Sequence, residues 1–339
     1  MNGSRIKKWL GILCLGGILL GAVWEAYIAL LSPPAVPYFA QIVDIPRGTS
    51  LSHVAGLLHN SHLIRDKEAF VWMGRLSGAE RKIISGEYAL DTEMDASAIL
   101  SKIVNGTVVQ HAVTIPEGYS LIQVAGLLEE KRLINRQAFL HTARDQAFIQ
   151  SLGLHVSSLE GYLFPDTYYF ARPVNPKTVI QSFIRRLQET LTADLKHRAK
   201  DMGMPIHAVL TLASIIEKET ANSDERNLIS GVFHNRLRQN IPLQSDPTVV
   251  YALRAFDGNI TKQDLRVNSP YNTYRVLGLP PGPIANPGKA AIEAALYPAT
   301  TDFLYFVSRN NGSHKFSATL DEHNQAVQQY QVRLTGRSS

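Results

Sequence analysis

Residues 208–221, AVLTLASIIEKETA, have the pattern of a helix with one apolar side. At about 100° per residue, the apolar positions form a stripe that should pack on a core. Lys218 lies opposite the stripe and should face water. Glu217 and Glu219 fall on its two edges, about 200° apart around the helix, so they cannot act as one close pair. The stripe consists of Val209, Leu212, Ala213, Ile216 and Thr220.

Glu217 is the candidate acid of this helix. A carboxyl group at an apolar edge is partly desolvated, which favours its neutral form and raises its pKa. A general acid needs that neutral form near neutral pH. A glutamate that only marks where the stripe meets solvent has the same pattern, so the helix alone leaves both interpretations open.

The composition is that of a globular protein with two or three domains, since 339 residues contain 45% hydrophobic and 19% charged side chains. The net charge is +5, of which Arg5, Lys7 and Lys8 supply three before the first apolar run. The remaining charge forms no basic stripe. The sequence therefore indicates no nucleic-acid partner.

Residues 9–31 form an apolar run whose only charge is Glu25. At about 1.5 Å per residue, the run is long enough to cross a hydrocarbon core of ~30 Å. Basic residues precede it, which orients the N-terminus inside, and the run is longer than a cleaved signal peptide needs. We predict a cytoplasmic tail at 1–8, a single membrane span at 9–31, a linker at 32–40, and the remainder on the periplasmic (extracytoplasmic) side of the inner (cytoplasmic) membrane.

Thiol and metal chemistry have no pattern in this sequence. The one cysteine, Cys14, lies inside the apolar run, which excludes a disulfide framework. His59 and His62 have helical spacing, but no glutamate or cysteine joins them in a ligand pattern. We expect neither a metal site nor a cofactor.

An internal repeat follows the linker. The segment VDIPRGTSLSHVAGLL at 43–58 returns as VTIPEGYSLIQVAGLL at 113–128, and the two copies extend over 43–70 and 113–140. Each copy predicts a strand, a Pro-x-Gly turn and a helix capped by Ser50 or Ser120. A strand, two helices and a returning strand resemble a LysM-like module, a fold associated with N-acetylglucosamine-containing glycans. A duplicated spacer without a ligand fits the same pattern, and whether the second copy binds glycan stays open.

Five motifs follow one another from residue 160 onward: EGYLFPDTY (160–168), LASIIEKET (212–220), LQSDPT (243–248), SPYNTY (269–274) and GLPPGPI (278–284). In this order, after an anchor and a LysM-like part, they resemble the YceG-like endolytic murein transglycosylases. The resemblance implies an α+β fold with a LysM-like region at 41–155 and a catalytic domain at 156–334. It covers essentially the whole chain.

The resemblance implies cleavage of the β-1,4 bond between N-acetylmuramic acid and N-acetylglucosamine inside nascent peptidoglycan strands. It implies further that the products carry 1,6-anhydro-muramoyl ends and that the enzyme terminates strand elongation, with peptidoglycan synthases as expected partners. The catalytic acid of the family matches Glu217. One carboxyl group suffices for this reaction, as acid and then as base, whereas a two-carboxylate glycosidase needs a partner at a defined distance.

The resemblance also suggests substrate contacts. We expect the polar loop residues to converge on Glu217 and to bind sugar hydroxyl and acetamido groups, although each also fits a cap or turn. The aromatic motif adds two rings that can stack on a sugar and one carboxylate. Glu219 is either a supporting partner or half of an ion pair. The loop candidates are Gln244, Asp246, Asn272 and Tyr274, and the aromatic motif supplies Tyr162, Phe164 and Asp166.

Two functions from other classes stay open. A hydrolytic muramidase would use Glu217 with Asp246 as its second carboxylate and would leave free reducing ends. A non-enzymatic peptidoglycan-binding scaffold would depend on the LysM-like part alone, and Glu217 would then be replaceable.

Overall fold

A computed structural model describes residues 3–220, 222–253 and 256–332 of the chain. The fold is mixed α+β, as predicted. It divides into two compact units: the first contains Met1–His111 and Tyr169–Pro173, and the second contains Ala112–Tyr168 and Val174–Ser339. The predicted boundary near residue 155 differs from this division, because the second repeat copy belongs to the same unit as the Glu217 helix.

The first unit begins with a long helix, α1 (Gly3–Leu31). Its segment Leu13–Leu31 has a mean hydropathy of 1.8, and none of it is buried. Among the described residues, this is the one helix that is both long enough and apolar enough to cross a membrane. The helix takes in most of the predicted cytoplasmic tail, and Met1 and Asn2 lie outside the described residues.

An antiparallel pair of strands and three helices form the core of the first unit. Val43 and Ile45 point inward from one strand, and Tyr88 and Leu90 do so from the other, because side chains alternate along each strand. The two strands are antiparallel, with Val43 opposite Tyr88. The elements are β1 (Ala40–Ile45), α2 (Leu51–Asn60), α3 (Lys67–Leu76), β2 (Gly86–Asp91) and α4 (Ala96–Asn105).

The second unit is mostly helical, with two further two-stranded sheets, β3–β4 and β5–β6. The chain passes from the first unit to the second within β3, after His111, and returns to the first unit within β4, after Tyr168. The elements are β3 (His111–Thr114), α5 (Leu121–Glu130), α6 (Arg136–Thr142), α7 (Gln146–Ser151), β4 (Thr167–Phe170), α8 (Pro176–Thr190), α9 (Ala193–Asp201), α10 (Ile206–Glu219), α11 (Arg226–Arg238), α12 (Asp246–Ala252), α13 (Lys289–Leu296), β5 (Tyr305–Ser308), β6 (His314–Ser317) and α14 (Leu320–Val327).

Helix α10 is the central helix of the second unit. The predicted stripe is buried, but the remaining residues between Val209 and Ile216 are buried as well, because α9, α11, α12 and α13 pack around the helix. Its polar positions are hydrogen-bonded: the Ser214 hydroxyl donates to the Thr211 carbonyl and accepts the Ile284 N–H. Buried polar groups are tolerated when they are paired in this way. Lys218 is exposed, as predicted.

Candidate active site

Glu217 lies in the last turn of α10, and its side chain is only 8% exposed. Its Oε2 accepts a hydrogen bond of 2.9 Å from the Gly288 N–H, immediately before α13. Its Oε1 lies 3.9 Å from Nη2 of Arg226, at the start of α11. One carboxylate oxygen is therefore held by backbone, and the other faces a more distant cation.

The surroundings of Glu217 raise the pKa of its carboxyl group above the ordinary value. Burial is the largest cause, because it penalises the charged form. The Gly288 hydrogen bond opposes the increase, the Glu117 carboxylate adds to it, and the cations of Arg226 and Lys218 oppose it. The net result favours the protonated form that a general acid requires.

The turn of the second repeat copy packs against this carboxyl group. Gly118 has a φ of 73°, and a Cβ at that position would lie 3.6 Å from Cγ of Glu217. The Gly118 N–H donates to the Asn286 carbonyl at 2.9 Å, and the Asn286 N–H donates to the Tyr119 carbonyl at 2.8 Å. The repeat turn and the loop before α13 thus form one hydrogen-bonded wall of the site.

Glu219 has different partners, as its place on the other edge of the helix requires. Its Oε1 accepts a hydrogen bond of 2.5 Å from the Ser245 hydroxyl. Burial raises the pKa of Glu219 to about 7; Asp246 adds to the increase, and the Ser245 bond and Arg236 oppose it. Within the described residues Glu219 forms no ion pair, so it is a buried, hydrogen-bonded carboxyl group.

Each of the four loop candidates is hydrogen-bonded to a residue other than Glu217, and Asp246 and Tyr274 interact electrostatically with Glu219. The Tyr274 hydroxyl donates to Oδ1 of Asp246 at 2.6 Å, and Gln244 accepts from Arg236 at 3.2 Å. Asn272 is fully buried and donates to the Leu265 and Val267 carbonyls. Over the described part of the chain, no hydrogen bond or ion pair joins any of the four to Glu217. The convergence of these four side chains on Glu217 stays a prediction.

The aromatic candidates pack in the interior. Tyr162 and Phe164 are 4% and 6% exposed, so neither offers an open ring face to a sugar. The Tyr162 hydroxyl is hydrogen-bonded to His207 at 2.9 Å. Asp166 pairs with Arg186, and its carbonyl accepts the Ile115 N–H. The burial of these rings fits a packing role better than a stacking platform for sugars.

Glu160 is a buried acid that the sequence did not single out. It accepts the Leu121 N–H at 2.8 Å and the Tyr251 hydroxyl at 3.2 Å. Burial raises its pKa to about 7, and both hydrogen bonds and the nearby Arg144 cation oppose the increase. It lines a cavity of about 470 Å³ that also includes Gly118 and Lys218, next to the Glu217 wall.

Sequence reasoning also missed Glu117, Arg226 and Gly288. One signal was available for Glu117: the second repeat copy has glutamate where the first has Arg47. Nothing local marks Gly288, whose contribution is a backbone N–H. In the described residues, no group of three or more His, Cys, Asp or Glu side chains is arranged to hold a metal ion.

Known proteins are similar to this chain in sequence and in fold. The model of the YceG-like family matches residues 43–329. An endolytic murein transglycosylase of Bacillus subtilis is 36% identical over 304 residues, covering 85% of this chain and 84% of that protein. One from Streptococcus pneumoniae is 30% identical over 323 residues, covering 85% of this chain and 58% of that longer protein. A crystal structure of a YceG-like protein from Listeria monocytogenes is 35% identical, covers 84% of this chain and 98% of that one, and superposes with a TM-score of 0.60.

Proposed function

Because this chain belongs to the YceG-like family, we propose that it is an endolytic murein transglycosylase with Glu217 as its acid and base. The observation that supports this assignment is the state of the Glu217 carboxyl group: it is nearly buried, its pKa is raised, and Oε2 is fixed by the Gly288 N–H. In the described residues, Oε1 accepts no hydrogen bond. That oxygen is the one we assign to the glycosidic bond.

The reaction follows from one proton that leaves Glu217 and returns. Protonated Glu217 donates to the glycosidic oxygen as the bond from C1 of N-acetylmuramic acid to O4 of N-acetylglucosamine breaks. Positive charge develops on the muramoyl ring, and its own 6-hydroxyl oxygen attacks C1. The 6-hydroxyl proton passes to the Glu217 carboxylate, which restores the acid. The attack is intramolecular, so positioning replaces a nucleophilic water.

Glu217 is a better candidate than the other two buried acids. Both oxygens of Glu160 accept hydrogen bonds within the unit, from Leu121 and Tyr251. Glu219 is bonded to Ser245 inside the loop cluster. Each of these two carboxyl groups is therefore hydrogen-bonded to another segment of the second unit.

Replacement of Glu217 and Glu219 by glutamine tests the assignment. Glu217→Gln keeps the Gly288 hydrogen bond but has no proton to exchange, so anhydro-ended products from purified murein should fall by about 10²–10⁴-fold. Glu219→Gln should cost much less and is the matched control. Mass spectrometry counts the product ends. A normal yield from Glu217→Gln would contradict the assignment and favour a non-enzymatic scaffold.

The same products distinguish hydrolysis. A muramidase would give free reducing ends in place of anhydro ends. Asp246, the second carboxylate considered for such an enzyme, is hydrogen-bonded to Tyr274 on the Glu219 side. This placement favours the transglycosylase.

We further propose that the first unit is LysM-like and holds murein strands. Support comes from the order β1, α2, α3, β2 and from a cavity of about 420 Å³ between the Pro46–Leu51 turn region and residues up to Ser85. Ser85→Trp should fill this cavity and weaken co-sedimentation of the full-length Glu217→Gln protein with purified murein. Unchanged sedimentation would remove the LysM-like role.

We also propose that α1 anchors the chain in the inner membrane with residues from 32 onward outside the cytoplasm, where nascent strands are made and cleavage would terminate them. The basic residues before the apolar run support this orientation. Reporter fusions after Leu31 test it, since activity restricted to the cytoplasm would contradict it. Contact with peptidoglycan synthases can be tested by crosslinking in cells.

A further inference from the structure

Glu117 lies at the tip of the second repeat turn, beside the loop that holds Glu217. Its carboxylate occupies the space that a side chain on residue 288 would need: a Cβ at Gly288 would collide with Glu117 Oε1. The N–H of the same Gly288 donates to Glu217. The Glu117 and Glu217 carboxylates therefore approach one glycine.

The turn that carries Glu117 is fixed in place. The Gly118 N–H donates to the backbone carbonyl of Asn286, and the side-chain Nδ2 of Asn286 donates to the Tyr119 carbonyl at 2.7 Å. Asn286 is fully buried, and its Oδ1 accepts the Leu163 N–H at 2.9 Å. Glu117 thus stands on a rigid support, although its own side chain is exposed.

The turn itself does not require a glutamate. The first repeat copy makes the same Pro-x-Gly turn with Arg47, and its Gly48 has a φ of 77° against 73° for Gly118. The backbone geometry of this turn is therefore compatible with either arginine or glutamate at the middle position. A solvated turn residue is the alternative explanation, but the position of the carboxylate at Gly288 is specific.

We propose that Glu117 is a positioning residue of the transglycosylase reaction, which acts through Glu217 by favouring the protonated state of that carboxyl group. This inference rests on the proposed function. The charged groups that face Glu217 are Glu117 from the repeat turn, Lys218 from α10 and Arg226 from α11. The two cations favour ionisation of Glu217, and Glu117 is the anion that opposes them.

The effect serves both halves of the reaction. A negative charge at Glu117 keeps the proton on Glu217 until a glycosidic oxygen accepts it. Once Glu217 is ionised, repulsion between the two carboxylates favours return of the proton from the 6-hydroxyl. Glu117 neither gains nor loses a bond in this sequence.

The test is the pH profile of anhydro-end formation on purified murein. Glu117→Gln removes the charge and should shift the alkaline limb to lower pH, so the rate above that limb should fall severalfold. Below the limb the rate should stay nearly unchanged. Glu117→Asp should restore most of the profile. Glu130→Gln makes the same charge change at a side chain that is 73% exposed on the same unit, and its profile should match wild type.

Gly288→Ala provides a second variant. It retains the N–H that holds Glu217 but displaces the Glu117 carboxylate, so the limb should move in the same direction. A Glu117→Gln rate that falls equally at every pH, or an unaltered profile, would overturn the inference. Failure of the proposed function looks different: wild type and Glu217→Gln would then yield equal numbers of anhydro ends.

Discussion

The two repeat copies have the same local structure in different surroundings. Their turns place glycine at φ values of 77° and 73°, and the residues that end the first helix–loop segment, His62 and Arg132, have φ values of 54° and 53°. Four equivalent positions are buried in each helix, which are Leu51, Val54, Ala55 and Leu58 in α2 and Leu121, Val124, Ala125 and Leu128 in α5.

Their partners differ. Strand β1 pairs with β2, and β3 pairs with β4. A Cβ at Gly48 would meet nothing within 4 Å, whereas one at Gly118 would contact Lys218 and Glu217. One sequence pattern has thus built two similar modules, and the second forms a wall of the candidate active site. Local sequence sets the module, and its neighbours set its role.

The largest effect should come from the matched core leucines, Leu58 and Leu128, which are both fully buried. Either Leu→Ala change should lower the free energy of unfolding of its own unit by about 2–5 kcal/mol, because it leaves a cavity. Hydrogen exchange of each unit measures this. Only Leu128→Ala should also reduce the yield of anhydro ends on warming. An equal loss of anhydro ends from Leu58→Ala would show that the candidate active site depends on the first copy as much as on the second.

A smaller effect concerns Glu160, which accepts the N–H of Leu121 at the start of α5. No carboxylate is hydrogen-bonded to the equivalent N–H of Leu51 within the described residues. The pKa of Glu160 is raised from 4.5 to about 7, so the folded state binds its proton more tightly than the unfolded state. Its contribution to stability is full below about pH 4.5 and is lost as the pH rises toward and through 7.

Glu160→Gln should therefore flatten the pH dependence of the second unit's stability. One such group changes the free energy of unfolding by up to about 1.4 kcal/mol per pH unit. Urea unfolding between pH 4 and pH 8 measures the slope, with Glu130→Gln as the control. Glu217 and Glu219 contribute equally to the slopes of the wild type and of Glu160→Gln, so the difference between these two slopes comes from Glu160. Parallel slopes would mean that Glu160 stays ionised when folded.

The smallest effect should be shared by the two turns. Gly48→Ala and Gly118→Ala each force a left-handed conformation on alanine, which costs about 1 kcal/mol. Equal losses, measured by hydrogen exchange in each unit, would support the equivalence of the two backbones. A much larger loss at Gly118 would show that its contacts with Glu217 and Lys218 tolerate no added methyl group.

Several features could be predicted from the sequence because their causes are local. Ser50 and Ser120 cap their helices as expected, since a cap is decided within four residues. The spacing in α10 placed Glu217 and Glu219 on different sides. The motifs identified the family, and the apolar run was found by its length.

The tertiary structure decided which groups meet at those two carboxyl groups. Ser245, from one of the polar loops, donates to Glu219, whereas the Gly288 N–H and the repeat turn, which the sequence did not connect with this acid, lie at Glu217. Tyr119 and Asn286 are joined across 167 positions. Periodicity shows which face of a helix is buried, but it contains no information about which distant segment covers that face. A backbone N–H, moreover, is the same in every residue but proline, so only the fold can bring a particular one to an acid.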